Sequence, residues 1–79
     1  MLDKGQIVAF LGNELGVDTA DVSDDTPLFS SGLIDSFSLV RLMVFLETEG
    51  QFRINPTDVS LDNMDSVSRI IRFVAQATG

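Results

Sequence analysis

The chain is 79 residues long with 44% hydrophobic residues, enough for one small packed domain and too many for a disordered segment. Twelve acidic residues against five basic ones give a formal charge of −7 and a pI near 4.1, so phosphate backbones repel it and nucleic-acid binding is not expected. Cysteine and histidine are both absent, which removes disulfides, thiolate nucleophiles, Cys/His metal sites and Ser-His-Asp triads together. Carboxylates and hydroxyls are the reactive side chains left, and richer chemistry would have to come from an attached cofactor or a partner.

Residues 3 to about 15 read as a helix. Ile7, Phe10, Leu11 and Leu15 form one apolar stripe, Asp3 is placed as the N-cap, and Gly16 as the stop. The connection from 16 to 35, "GVDTADVSDDTPLFSSGLID", is long for so small a domain. Val22, Leu28, Phe29, Leu33 and Ile34 are distributed to pin it, so an ordered loop with a short helical turn is expected. Its aspartates at 18, 21, 24 and 25 lack the Gly and Glu spacing of a calcium loop, and no metal site is expected there.

A second helix is predicted from Ser36 to about residue 49, with Gly50 as its stop. Leu39, Leu42, Met43 and Leu46 make its core stripe; Phe37, Val40 and Val44 fall on another side, and Phe45 belongs to neither set. Pro56 after Asn55 suggests a short helical turn near 56 to 60. Asp65 or Ser66 then caps a last helix reaching about residue 76, with Val67, Ile70, Ile71 and Val74 as its core stripe. The fold expected is all-α: a small four-helix bundle of three principal helices plus one short helix, with a long ordered loop between the first two principal helices. Residues 1–79 form a single domain. No run of transmembrane length occurs, and "MLDKGQ" lacks a signal peptide's basic and apolar regions, which fits a cytoplasmic protein with no membrane insertion.

Chemistry concentrates at "GLIDSF", residues 32 to 37. On spacing alone, Asp35 and Ser36 suffice as an N-cap. A hydroxyl at that helix start would also suit an attached anion, favoured by unpaired backbone N–H groups and the helix dipole. The apolar strip Phe37, Val40, Val44 has no core to serve and suits partner docking.

In this setting the chain resembles the acyl carrier family of phosphopantetheine-binding proteins over nearly its whole length. "DTPLFSSGLIDSFSLVRLMVFLE" is similar to that family's loop and second helix, and "INPTDVSLDNMDSVSRIIRFV" to its third helix and the entry to the fourth. The resemblance implies that Ser36 receives 4′-phosphopantetheine from coenzyme A through a separate phosphopantetheinyl transferase. Asp35 matches the family's acidic neighbour, which is associated with metal and with the modification. The chain would be a non-catalytic monomeric carrier, shuttling a thioester-linked acyl or aminoacyl group from a loading ligase or acyltransferase to a downstream transferase or synthase. Phe37, Val40, Arg41 and Val44 would form the docking surface. Two departures point away from ordinary fatty-acid carriers. The order Gly32-Leu33-Ile34-Asp35-Ser36-Phe37 is more similar to D-alanyl, other aminoacyl and specialised stand-alone carriers, and Arg41 stands where fatty-acid carriers present acid. A fatty-acid synthesis carrier and a cofactor-free helical interaction module, with Ser36 only a cap or a kinase site, are the alternatives.

Overall fold

Asp3 starts the first helix, α1 (Lys4–Glu14), through a reciprocal pair of bonds in the computed structural model, which describes residues 2–78. The Gln6 N–H donates to the Asp3 carboxylate at 2.9 Å, and the Asp3 N–H donates to the Gln6 side chain at 2.9 Å. Gly16 takes a left-handed φ of 70°, and the Val17 N–H turns back to the Leu11 carbonyl at 3.0 Å. Ile7 and Leu11 are wholly buried, whereas Phe10 and Leu15 are only partly covered.

α2 (Ser36–Gly50) and α3 (Val67–Thr78) complete the set of three α-helices, with no strand among the described residues. α2 buries Leu42 and Leu46 completely and leaves Leu39 and Met43 half-buried. Gly50 does not stop it. Gln51 takes the left-handed turn at φ 53° instead, and Gly50 stays helical beneath the Phe52 ring. A Cβ on Gly50 would meet that ring at 2.6 Å, so close approach is what glycine supplies there. Glu47 then ties the returning chain down by accepting the Ile54 N–H at 2.8 Å.

α3 is capped by Ser66, whose hydroxyl oxygen accepts the Arg69 N–H at 3.2 Å; Asp65 serves elsewhere. Val67, Ile70 and Val74 are buried, but Ile71 faces outward, one step round the helix from the stripe assigned to it. α3 packs against α1 and against a 3-10 turn at Asp62–Met64, where Met64 is wholly buried.

The short helical turn expected near 56 to 60 is a single 3-10 turn at Pro56–Asp58, closed by Asn55, which accepts from the Asp58 N–H through its carbonyl and from the Thr57 N–H through its side chain. Side chains then compete for the backbone that would continue it. The Ser60 N–H donates to Asn63 at 2.9 Å, and the Asn63 amide donates to the Asp58 carbonyl at 2.7 Å.

The 16–35 connection is ordered, with a 3-10 turn at Thr19–Asp21 capped by Asp18. Leu28 and Ile34 are buried in the core, with Val22 and Phe29 packed against it. Leu33 is exposed, contrary to the pinning role expected of it. The Gly32 N–H donates to the Phe29 carbonyl at 3.1 Å and the Ile34 N–H to the Leu28 carbonyl at 3.1 Å. That reversal turns Ile34 inward and Leu33 outward. Gly32 makes it with φ 83°, and nothing lies within 4 Å of where its Cβ would be. Gly32→Ala is therefore expected to cost about 1 kcal/mol of pure backbone strain, measured by urea unfolding.

Candidate functional site

The reversal at Gly32 delivers the chain to α2 with Asp35 extended at φ −106° and ψ 179°. Its carboxylate accepts the Ser38 N–H at 3.0 Å and the Ser38 hydroxyl at 3.1 Å. The cap is therefore Asp35, and Ser36 is the first helical residue. These bonds, the Ser38 N–H foremost and its hydroxyl next, hold the Asp35 carboxyl below the ordinary aspartate value of 3.8, so it is anionic at neutral pH.

With the cap supplied by its neighbour, the Ser36 hydroxyl is exposed and takes no hydrogen bond from or to any described residue. It stands at the N-terminus of a 15-residue helix, where the first backbone N–H groups lack intrahelical partners and an anion is favoured. An exposed, unengaged hydroxyl there fits a phosphodiester.

Beyond it, Phe37, Val40 and Val44 are 82%, 60% and 58% exposed, so the second side assigned to α2 is a solvent-facing apolar strip. Val40, Arg41 and Val44 line an open groove of about 750 Å³ between α1 and α2. The stacked pair Phe10 and Phe45, with ring centroids 4.3 Å apart at 19°, also lines it, and that pairing with α1 accounts for Phe45 fitting neither face. Phe37 stands outside the lining of that groove. Arg41 is exposed and forms no salt bridge among the described residues.

One residue of this region escapes any reading of the sequence. One oxygen of the Asp65 carboxylate accepts three successive backbone N–H groups, from Leu28 at 3.1 Å, Phe29 at 2.7 Å and Ser30 at 3.0 Å. Its other oxygen accepts the Ser30 hydroxyl at 2.7 Å, and its own carbonyl accepts the Leu28 N–H at 2.7 Å. These bonds, led by the Ser30 N–H, hold the Asp65 carboxyl below 3.8 despite some opposing desolvation. In the sequence, Asp65 looks like one of two candidate caps; its partners lie 35 to 37 residues away, and no local signal announces them.

Two of the four loop aspartates have local structural roles. Asp18 caps its turn, and Asp24 pairs with Lys4 at 2.5 Å. Among the described residues, no three His, Cys, Asp or Glu side chains are grouped to hold a metal ion, and no helix is long and apolar enough to cross a membrane.

Comparison with known proteins bears on this arrangement directly. A family model described as "phosphopantetheine attachment site" matches residues 5–74. The chain is also similar to the D-alanyl carrier protein of Leuconostoc citreum (strain KM20), at 30% identity over 79 residues and the full length of both. It is 29% identical over 76 residues to the D-alanyl carrier protein of Leuconostoc mesenteroides subsp. mesenteroides, covering 96% of each chain. A third relative, the D-alanyl carrier protein of Streptococcus thermophilus, is 25% identical over 73 residues, covering 92% of this chain and 91% of its own. This small helical chain belongs to the phosphopantetheine-attachment family, carrier proteins that hold 4′-phosphopantetheine covalently and move thioester-linked acyl or aminoacyl groups.

Proposed function

We propose that Ser36 is the attachment point and that the cargo is an aminoacyl group, D-alanyl or one chemically close to it. The observation that carries the first part is the division of labour at the start of α2: Asp35 caps the helix and leaves the Ser36 hydroxyl exposed. The second part draws on the relatives' names, the Gly32 to Phe37 order and Arg41.

In the modification, the Ser36 Oγ bonds to the β-phosphorus of coenzyme A as the P–O bond of the pyrophosphate breaks. Adenosine 3′,5′-bisphosphate leaves with the electron pair, and the hydroxyl proton passes to a base of the transferase. Bound there, the group supplies a thiol, which this cysteine-free chain lacks. The chain's own residues do the rest. The N-terminus of α2 stabilises the phosphodiester, and Asp35 keeps that helix start formed. Phe37, Val40, Arg41 and Val44 present the docking surface to the transferase, to an amino-acid-activating ligase and to a downstream acceptor enzyme. On this reading the chain is a single-domain, non-catalytic, monomeric cytoplasmic carrier.

The experiment is intact-mass measurement after incubation with coenzyme A and a broad-specificity phosphopantetheinyl transferase. Wild-type protein is expected to gain one phosphopantetheine and Ser36→Ala none. An unmodified wild type, or an adduct surviving Ser36→Ala, would refute the attachment assignment. For the cargo, the modified protein is incubated with ATP, D-alanine and a D-alanine-activating ligase. A gain of one alanyl mass is expected; its absence counts against the D-alanyl assignment.

A further inference from the structure

We propose that Asp65 is a positioning residue for the modification of Ser36: it fixes the turn that presents the start of α2 to the modifying enzyme. The inference rests on Ser36 being the attachment point and adds a residue from the opposite end of the chain to that function.

The connection is continuous. Asp65 lies just ahead of α3, held between the Asp62–Met64 turn and the Ser66 cap. From there its carboxylate gathers the N–H groups of Leu28, Phe29 and Ser30 at 2.7–3.1 Å, an anion-binding concavity filled by the protein's own charge. Leu28 and Phe29 pass the constraint onward by accepting the Ile34 and Gly32 N–H groups. Ile34 is buried, and the next two residues are Asp35 and Ser36. α2 alone would leave the direction of its approaching chain free, because the Asp35 carboxylate hydrogen-bonds to Ser38 within the first turn of its own helix. Within this turn, the Ser31 hydroxyl donates to the Pro27 carbonyl, but it bonds to nothing in α3. The side chain that ties the turn to the α3 end of the domain is Asp65.

A positioning role makes reach matter more than charge. Asp65→Asn keeps a carbonyl oxygen at the same distance for the three N–H groups and removes the charge. Asp65→Glu keeps the charge and all its acceptor capacity but adds a methylene, shifting the carboxylate by about 1.5 Å against the turn. Initial rates of phosphopantetheinyl transfer are measured by intact mass at saturating coenzyme A, varying the carrier concentration, at a temperature where far-UV circular dichroism shows every variant folded. Ile7→Val, a mild core change in α1 that touches none of the Asp65 hydrogen bonds, controls for stability.

Asp65→Glu is expected to lower kcat/KM about tenfold, chiefly by raising KM, since misplacing a recognised group by about an ångström costs this much or more. Asp65→Asn should stay within about threefold of wild type and Ile7→Val should match it. Amide resonances of Leu28, Phe29, Ser30 and Ile34 should move in Asp65→Glu and hold in Ile7→Val. Gly32→Ala, which strains the same turn without touching Asp65, should raise KM in the same direction and decides the question if Asp65→Glu does not fold. Wild-type rates in both Asp65→Glu and Gly32→Ala would overturn the proposal. So would a loss in Asp65→Asn or Ile7→Val equal to that in Asp65→Glu, since charge or stability would then be responsible. A wild-type protein that gains no adduct would instead remove the Ser36 assignment, and with it the basis of the proposal.

Discussion

Leu42→Ala is expected to remove about 3 kcal/mol of stability, whereas Val44→Ala, two residues along the same helix, changes it by less than about 0.5 kcal/mol. Leu42 is wholly buried, and deleting three of its carbons loses their transfer energy and leaves a cavity that neighbouring side chains fill only in part. Val44 is exposed on the strip that also carries Phe37 and Val40, so trimming it removes little from contact. The loss at Leu42 is severe for this protein. A chain of 79 residues has a total stability of roughly 4–12 kcal/mol, and the melting temperature should fall by more than about 10 °C. Urea and thermal unfolding followed by circular dichroism measure both variants. Equal losses would mean that the two faces of α2 are not divided as the burial pattern has them.

Wild-type protein is expected to exceed Asp65→Asn in stability by about 1–2 kcal/mol at neutral pH, with the difference shrinking as pH falls below the ordinary aspartate value of 3.8. The sign follows from the direction of the shift. The hydrogen bonds from the turn favour the carboxylate, so the folded state binds its proton less readily than the unfolded state does. Stability from Asp65 is therefore fully present above 3.8 and disappears as pH drops through the lower folded value. The magnitude is kept modest because Asp65 is partly open to solvent. Asp35 loses its own contribution over the same acid range, but it does so in both proteins and cancels from the difference. Arg69 and Arg72 border the same depression as Asp65, with Arg69 committed to Asp62 at 2.8 Å. Urea titrations at neutral pH and at about pH 3 test this. A difference that stays constant between them would show that the charge on Asp65 contributes nothing to holding the turn.

How far the sequence could be read depended on the range of the interaction concerned. Local interactions were legible. Asp3 and Gly16 bound α1 as their side-chain chemistry requires, and the spacing of Leu42, Leu46, Val67, Ile70 and Val74 put each in the core. Asp35 and Ser36 were also legible as a pair, because Asp and Ser at the start of an apolar helix have few physical uses. Which of the two caps the helix was left to side-chain geometry. Only the folded chain assigns the cap to Asp35 and frees Ser36.

Other features escaped because they depend on what packs where. Ile71 has the right composition for the core but lies one step round α3 from the face that meets α1. Gly50 resembles a stop, yet its role is set by a Phe52 ring that folds back on it. Asn63 and Asn55 take up backbone groups around Pro56–Asp58 and hold that short helix to a single 3-10 turn. Periodicity, caps and the carrier-like order of residues 32 to 37 thus come from interactions a few residues long, each written where it acts. The clamp from Asp65 to the Leu28–Ser30 turn joins groups more than thirty residues apart. It exists because packing brings three N–H groups and one carboxylate together, and that meeting is decided by the tertiary structure alone.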